Sequence, residues 1–180
     1  SPGTGAFENT FKNDPKLTSL PNHLFGMTNP TNGLFSSTFF NTGLTSLPDD
    51  LFQSFTTCTG TPTNVFINTF NNNSLQSLPA NLFSKITCAG DGTFNSTFAN
   101  SYKLTSVPSG LFGTVTTPRQ RLFRQTFISS PKLKSVPYNL FGSLSSGQPQ
   151  QNMFEKTFDG CGALDTVVHP GQNNGTFNTS

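Results

Sequence analysis

Few side chains here are of types that do chemistry, and their spacing says more than their number. There are three cysteines, Cys58, Cys88 and Cys161. Cys58 and Cys88 lie 30 residues apart. If the chain repeats with that period, stacking brings their Cα atoms toward the roughly 4.4 to 6.8 Å a disulfide requires. A bridge and two free thiols are the competing states. Cys161 is expected to be a small buried side chain rather than a nucleophile, and an odd cysteine also permits an intermolecular bond. His23 and His169 have unlike neighbours, Asp49 and Asp50 are adjacent, and no His-x-x-x-His or Asp-x-Asp spacing occurs. Nor is there a nucleophile elbow, a phosphate loop or a calcium loop. The expectation is no catalytic residue, no metal ligand and no cofactor, and hence no enzyme.

Other candidates concern modification and binding. Asn72, Asn95, Asn174 and Asn178 fit the Asn-x-Ser/Thr sequon, although Thr, Ser and Asn supply 65 of the 180 residues and chance accounts for most such matches. Threonine-rich stretches such as TTCTGTPT offer O-linked sites of the same standing. Arg119, Arg121 and Arg124 form the densest run of cations. They are either a patch for an acidic partner or, the preferred reading, a solvated face. With net charge +2 and only 10% charged residues, the chain lacks the clustered cations that nucleic acid demands. No apolar run approaches the ~20 residues of a membrane helix, so no membrane insertion is expected. The initial SPGTGAF is not a signal peptide, and the chain reads as a mature or excised segment.

What must position these residues is a repeat. The stretch FNSTFANSYKLTSVP at 94–108 returns as FENTFKNDPKLTSLP, FSSTFFNTGLTSLP, FINTFNNNSLQSLP, FRQTFISSPKLKSVP and, degraded, FEKTFDGCGALDTVV. Copies starting near 7, 35, 66, 94, 123 and 154 give a period of 28 to 31 residues, in the range of stacked supersecondary units. Phenylalanines four residues apart suggest one face of a short helix. Pro2, Pro30, Pro62, Pro118 and Pro149 sit where a first helical turn tolerates proline. Next come the pairs Leu17/Leu20, Leu44/Leu47, Leu75/Leu78, Leu104/Val107 and Leu133/Val136, expected as short parallel strands spaced by ~4.8 Å and each stopped by a proline. Pro-x-x-Leu-Phe then reads as a single turn, and a loop of variable length closes the unit. The threonines at 10, 38, 69, 97, 126 and 157 are expected to bond a backbone carbonyl of their own or the neighbouring copy. The expectation is one α/β leucine-rich-repeat solenoid over residues 1–180, with strands on one side and short helices on the other.

The pattern TFxxCxxLxxVxxP, complete in Thr157, Phe158, Cys161, Leu164, Val167 and Pro170, resembles the BspA-like leucine-rich repeats of bacterial surface proteins. The other copies resemble that family's variant TFxxxxxLTSLPxxLF. The resemblance implies a secreted or cell-surface scaffold for adhesion or protein binding, with no catalytic residues to carry over. Its partner, a protein or a glycan, would lie across Thr18, Thr45, Gln76, Thr105, Lys134 and Asp165, or along the loops. A partial seventh copy is expected from 174. Because neither end reads as a polar cap, the alternative is a structural subunit stacking on copies of itself. Ala6, Phe7, Phe11 and Phe177 would then be the end-to-end contacts, and the product a filament.

Overall fold

The computed structural model describes residues 2–26, 29–55, 57, 59–141, 143–144, 148–169 and 172–175, with side chains through 165. In it, the Phe-x-x-Thr-Phe segments are not helices. Every fourth residue there has positive φ: Gly5, Asn9 and Asn13 in the first copy, Asn64, Asn68 and Asn72 in the third, Arg121, Gln125 and Ser129 in the fifth, all between 54° and 63°. A right-handed helix cannot hold a left-handed residue in each turn.

The backbone runs instead as a ribbon of successive turns. In the first copy the N–H groups of Glu8, Thr10 and Lys12 donate to the carbonyls of Gly5, Phe7 and Asn9 at 2.8 to 3.2 Å. The intervening N–H groups, of Gly5, Phe7, Asn9, Phe11 and Asn13, donate out of the copy to the carbonyls of Asn32, Leu34, Ser36, Thr38 and Phe40 at 2.8 to 3.0 Å. The same five bonds recur at every junction between consecutive copies, so that six copies stack as six rungs.

The expected α/β solenoid of short helices and strands is thereby overturned. Among the described residues there is no helix, and strand is confined to β1 (Ser135–Pro137), β2 (Thr166–His169) and β3 (Gln172–Gly175). β1 and β2 are parallel, with Ser135 opposite Thr166, whereas β3 runs antiparallel to β2. One further parallel bridge joins Ser106 to Ser135. Both errors have a physical cause. A period of four belongs to the turn ribbon as much as to a helix face, so phenylalanine spacing alone cannot separate them. Outside the fifth and sixth copies, where Val136 lies in β1 and Val167 in β2, the Leu-x-x-Leu segments fail as strands because they read in, out, out, in. Leu44 and Leu47 are buried while Thr45 and Ser46 between them are exposed, and a strand alternates with period two.

Ring stacks fill the interior. Phe7, Phe35, Phe66, Phe94, Phe123 and Phe154 stack with centroids 5.5 to 5.7 Å apart. Phe11, Phe39, Phe70, Phe98, Phe127 and Phe158 form a second column at 5.4 to 5.6 Å. A third, from the Leu-Phe turns, contains Phe25, Phe52, Phe83, Phe112 and Phe141 at 5.9 to 6.0 Å. Its rings tilt against the first column, as with Phe83 and Phe94 at 4.9 Å and 59°, the offset geometry that ring quadrupoles favour.

The threonine column ties each rung to the one before. Thr38, Thr69, Thr97, Thr126 and Thr157 donate Oγ1–H to the carbonyls of Phe7, Phe35, Phe66, Phe94 and Phe123 at 2.7 to 2.9 Å. Thr69, Thr97 and Thr126 are fully buried, and a buried hydroxyl left without an acceptor would cost about 1 to 3 kcal/mol.

Candidate functional site

Because each Leu-x-x-Leu segment turns two adjacent residues outward, it builds an exposed column opposite the ribbon. Thr18, Thr45, Gln76, Thr105, Lys134 and Asp165 are all exposed. Backbone bonds hold neighbours in register: Thr45 N–H to the Thr18 carbonyl at 3.3 Å, Gln76 N–H to that of Thr45 at 3.2 Å, and Lys134 N–H to that of Thr105 at 2.9 Å. Four of these side chains are neutral, with charge entering only at Lys134 and Asp165. The column offers hydroxyl and amide donors and acceptors to a polar surface laid along it.

The outer ribbon face is the feature that reading the sequence as helix missed. Its turn-closing asparagines form a ladder, with Asn41 Nδ2 donating to Asn13 Oδ1 at 3.0 Å and Asn72 Nδ2 to Asn41 Oδ1 at 2.8 Å. Further along, Asn100 Nδ2 donates to Asn71 Oδ1 at 2.9 Å. The signal was present as Asn or Gly at most of these fourth positions, residue types that tolerate positive φ, with Ser37, Ser96, Ser129, Arg121, Gln125 and Lys156 at the others. A depression of about 460 Å³ lies on this face, bounded by Ile67 and Ile128 and containing Asn95, Ser96, Ala99 and Arg124. Arg124 Nε is 3.0 Å from Glu155 Oε2. The hydrogen bond from Arg124 holds the Glu155 carboxyl below its ordinary value, against a smaller opposing effect of burial. A depressed carboxyl pKa contributes stability above the ordinary carboxylate range, which is lost as pH falls through the lowered value.

The remaining candidates fall in separate places. Cys88 is disulfide-bonded; Cys58 lies outside the described residues. Cys161 is a free thiol, 8% exposed, donating to the Phe127 carbonyl at 3.2 Å. Burial pushes that thiol's pKa up, the direction that leaves least nucleophilic thiolate. Of the sequons, Asn95 is buried and its Oδ1 accepts from Ser96 Oγ at 3.0 Å. Asn72 is partly exposed with its Nδ2 engaged by Asn41. Asn174 lies in β3 with its side chain undescribed, and Asn178 is outside the described residues.

His23 Nδ1 contacts Asp50 Oδ2 of the next rung at 2.9 Å, and no group of three His, Cys, Asp or Glu converges as a metal site among the described residues. Also among the described residues, no helix is long and apolar enough to cross a membrane. The three arginines take three settings instead of one helix face: Arg121 is exposed with positive φ, Arg124 pairs with Glu155, and Arg119 reaches a loop cleft. At the first rung Ala6 is exposed, while Phe7 and Phe11 are partly buried against Phe35 and Phe39. Phe177 is outside the described residues.

No protein-family model matches the chain, and no curated protein matches it either. The likeness to BspA-like repeats rests on the motif residues alone.

Proposed function

We propose that the chain is an extracellular or cell-surface repeat scaffold that binds a protein or glycan through the exposed column of Thr18, Thr45, Gln76, Thr105, Lys134 and Asp165. The observation that carries this reading is the register of that column, with its members exposed and backbone bonds joining Thr18 to Thr45, Thr45 to Gln76 and Thr105 to Lys134. A partner therefore meets an array whose backbone is already ordered, so that the remaining ordering cost on binding is that of the exposed side chains. The disulfide at Cys88 fits an oxidising compartment, and the BspA-like motif favours the same location. The test is a glycan array together with a panel of purified extracellular-matrix proteins, probed with the labelled chain and with a triple variant, Thr45→Glu, Gln76→Glu and Thr105→Glu. At least one partner should bind, and the variant should bind it roughly tenfold more weakly or worse with an unchanged melting temperature. If nothing binds, or binding ignores the variant, the reading is wrong.

One observation favours a second reading, association end to end. In rungs two to six the carbonyls at the positions matching Ala6, Glu8, Thr10 and Lys12 accept from the preceding rung. In rungs one to five the N–H groups at the positions matching Asn152, Phe154, Lys156 and Gly160 donate to the following rung. Among the described residues these two terminal rows have no such partners, and they complement one another. A further rung, from the same chain or a second copy, would satisfy either row. Sedimentation that quickens with concentration is the expected result, and a monomer at the highest attainable concentration would remove this reading.

A further inference from the structure

Small side chains in the fourth rung make the depression on the outer ribbon face. There Ser96 and Ala99 stand where the flanking rungs carry Asn68 and Gln125, and Asn71 and Ile128. The hollow they leave crosses three consecutive rungs and has a volume of about 460 Å³, within the roughly 300 to 1,000 Å³ of pockets for organic ligands.

Its polar lining is oriented. Asn100 Nδ2 donates to Asn71 Oδ1 at 2.9 Å, and Asn71 Nδ2 donates in turn to Asn68 Oδ1 at 2.9 Å. This relay runs one way and leaves Asn68 Nδ2 as its unbonded end. Ser96 Oγ lies 3.0 Å from Asn95 Oδ1 and 3.4 Å from Gln125 Oε1. A hydroxyl between two carbonyl oxygens can only donate to them, so both amides turn their oxygens toward Ser96. The side-chain nitrogens of Asn68, Asn95 and Gln125 make no hydrogen bond among the described residues. Arg119 Nε apart, every buried side-chain nitrogen or oxygen there has a partner, so these three nitrogens are open to solvent. Asn95 is only 9% exposed and lines the depression, and the solvent its side chain meets is that of the depression.

From this arrangement we infer that the groove binds an N-acetylated amino sugar, its acetamido carbonyl accepting from the amide nitrogens of Asn68, Asn95 and Gln125. Three accessible donors whose own oxygens are committed call for a ligand rich in acceptors. A carbonyl is such an acceptor, and the methyl group beside it in an acetamide meets the apolar edges that Ile67 and Ile128 supply. Charge selects a neutral sugar over an acidic one. The only charged side chain lining the groove, Arg124, is already paired with Glu155 at 3.0 Å, and a ligand carboxylate would have to compete with that of Glu155. The groove lies on the ribbon, opposite the exposed column, and its occupancy does not depend on what that column binds.

The test compares two disaccharides by calorimetric titration and in a nitrogen-correlated NMR spectrum of the side-chain amides. Diacetylchitobiose, built of N-acetylglucosamine, should bind saturably and move the NH2 signals of Asn68, Asn95 and Gln125. Cellobiose, the same ring skeleton with hydroxyls in place of the acetamido groups, should bind roughly tenfold more weakly or worse. Asn68→Asp combined with Gln125→Glu keeps the oxygens that face Asn71 and Ser96 and removes the donors. It should weaken binding of the acetylated sugar roughly tenfold or more. A trialanine blocked at both ends, which offers peptide carbonyls without a sugar ring, should bind more weakly than diacetylchitobiose. Absence of saturable binding by diacetylchitobiose, equal binding of cellobiose, signals of the groove amides that stay in place, or peptide binding as tight as that of the sugar overturns the proposal. The wild-type comparison decides the matter even if the double variant does not fold.

Discussion

Phe98→Ala is expected to destabilise the protein by about 3 to 5 kcal/mol, the range for removing a buried ring and leaving a cavity. Phe98 is fully buried. Its ring stacks on Phe70 and Phe127, each 5.6 Å away, and tilts against Phe83 at 6.1 Å. Truncation thus interrupts the second column at its middle, where rungs on both sides are already packed and the gap cannot collapse onto solvent. For a chain of this size the melting temperature should fall by roughly 6 to 20 °C. The matching change at the edge, Phe11→Ala, should cost less, because Phe11 is only partly buried and stacks on one side. An unchanged melting curve for Phe98→Ala would remove that residue from the core, and equal losses at both positions would contradict the stacking description.

The second large effect separates a turn ribbon from a helix. Ser37 has φ of 53° and donates its N–H to the Ile67 carbonyl at 2.9 Å. Its hydroxyl makes no hydrogen bond among the described residues. Ser37→Pro should cost about 3 kcal/mol or more, since proline fixes φ near −65° and removes the donor. Ser37→Val should be destabilising, because a β-branched side chain is far less compatible with the left-handed region than the small serine. Ser37→Gly should be neutral or stabilising, because glycine reaches that region without strain. A helix makes the opposite demand on glycine, a loss of about 1 kcal/mol relative to alanine. Urea denaturation of the three variants reads the order directly. Should Gly prove worse than Val, the left-handed assignment at this column fails.

Much of the internal geometry was legible as spacing. The phenylalanines four apart are the first two ring columns, the Leu-Phe turns supply the third, and the recurring threonine is the residue that reaches back to the preceding rung. The exposed column was legible in the same way, since Leu104 and Val107 point inward and leave Thr105 outside. Backbone conformation was not legible from that spacing. The left-handed positions include Arg121, Gln125 and Lys156 as well as asparagine and glycine, so residue type marks them only when all six copies are compared. The Arg119 cleft was hidden for another reason. Its walls come from three loops separated by almost a full repeat each, and nothing local marks Thr61, Thr87 and Thr117 as neighbours.

By itself the sequence determined a repeat of 28 to 31 residues and the types of side chain available to fill each position of a rung. Tertiary structure decided how the chain travels between those positions. A four-residue period is shared by a helix and a ribbon of turns, and within one copy the two are close alternatives. The choice is made by bonds such as Phe66 N–H to the Thr93 carbonyl at 2.9 Å, whose partner lies a whole repeat away. Every second amide of the ribbon needs an acceptor that its own rung does not hold, and only stacking supplies it.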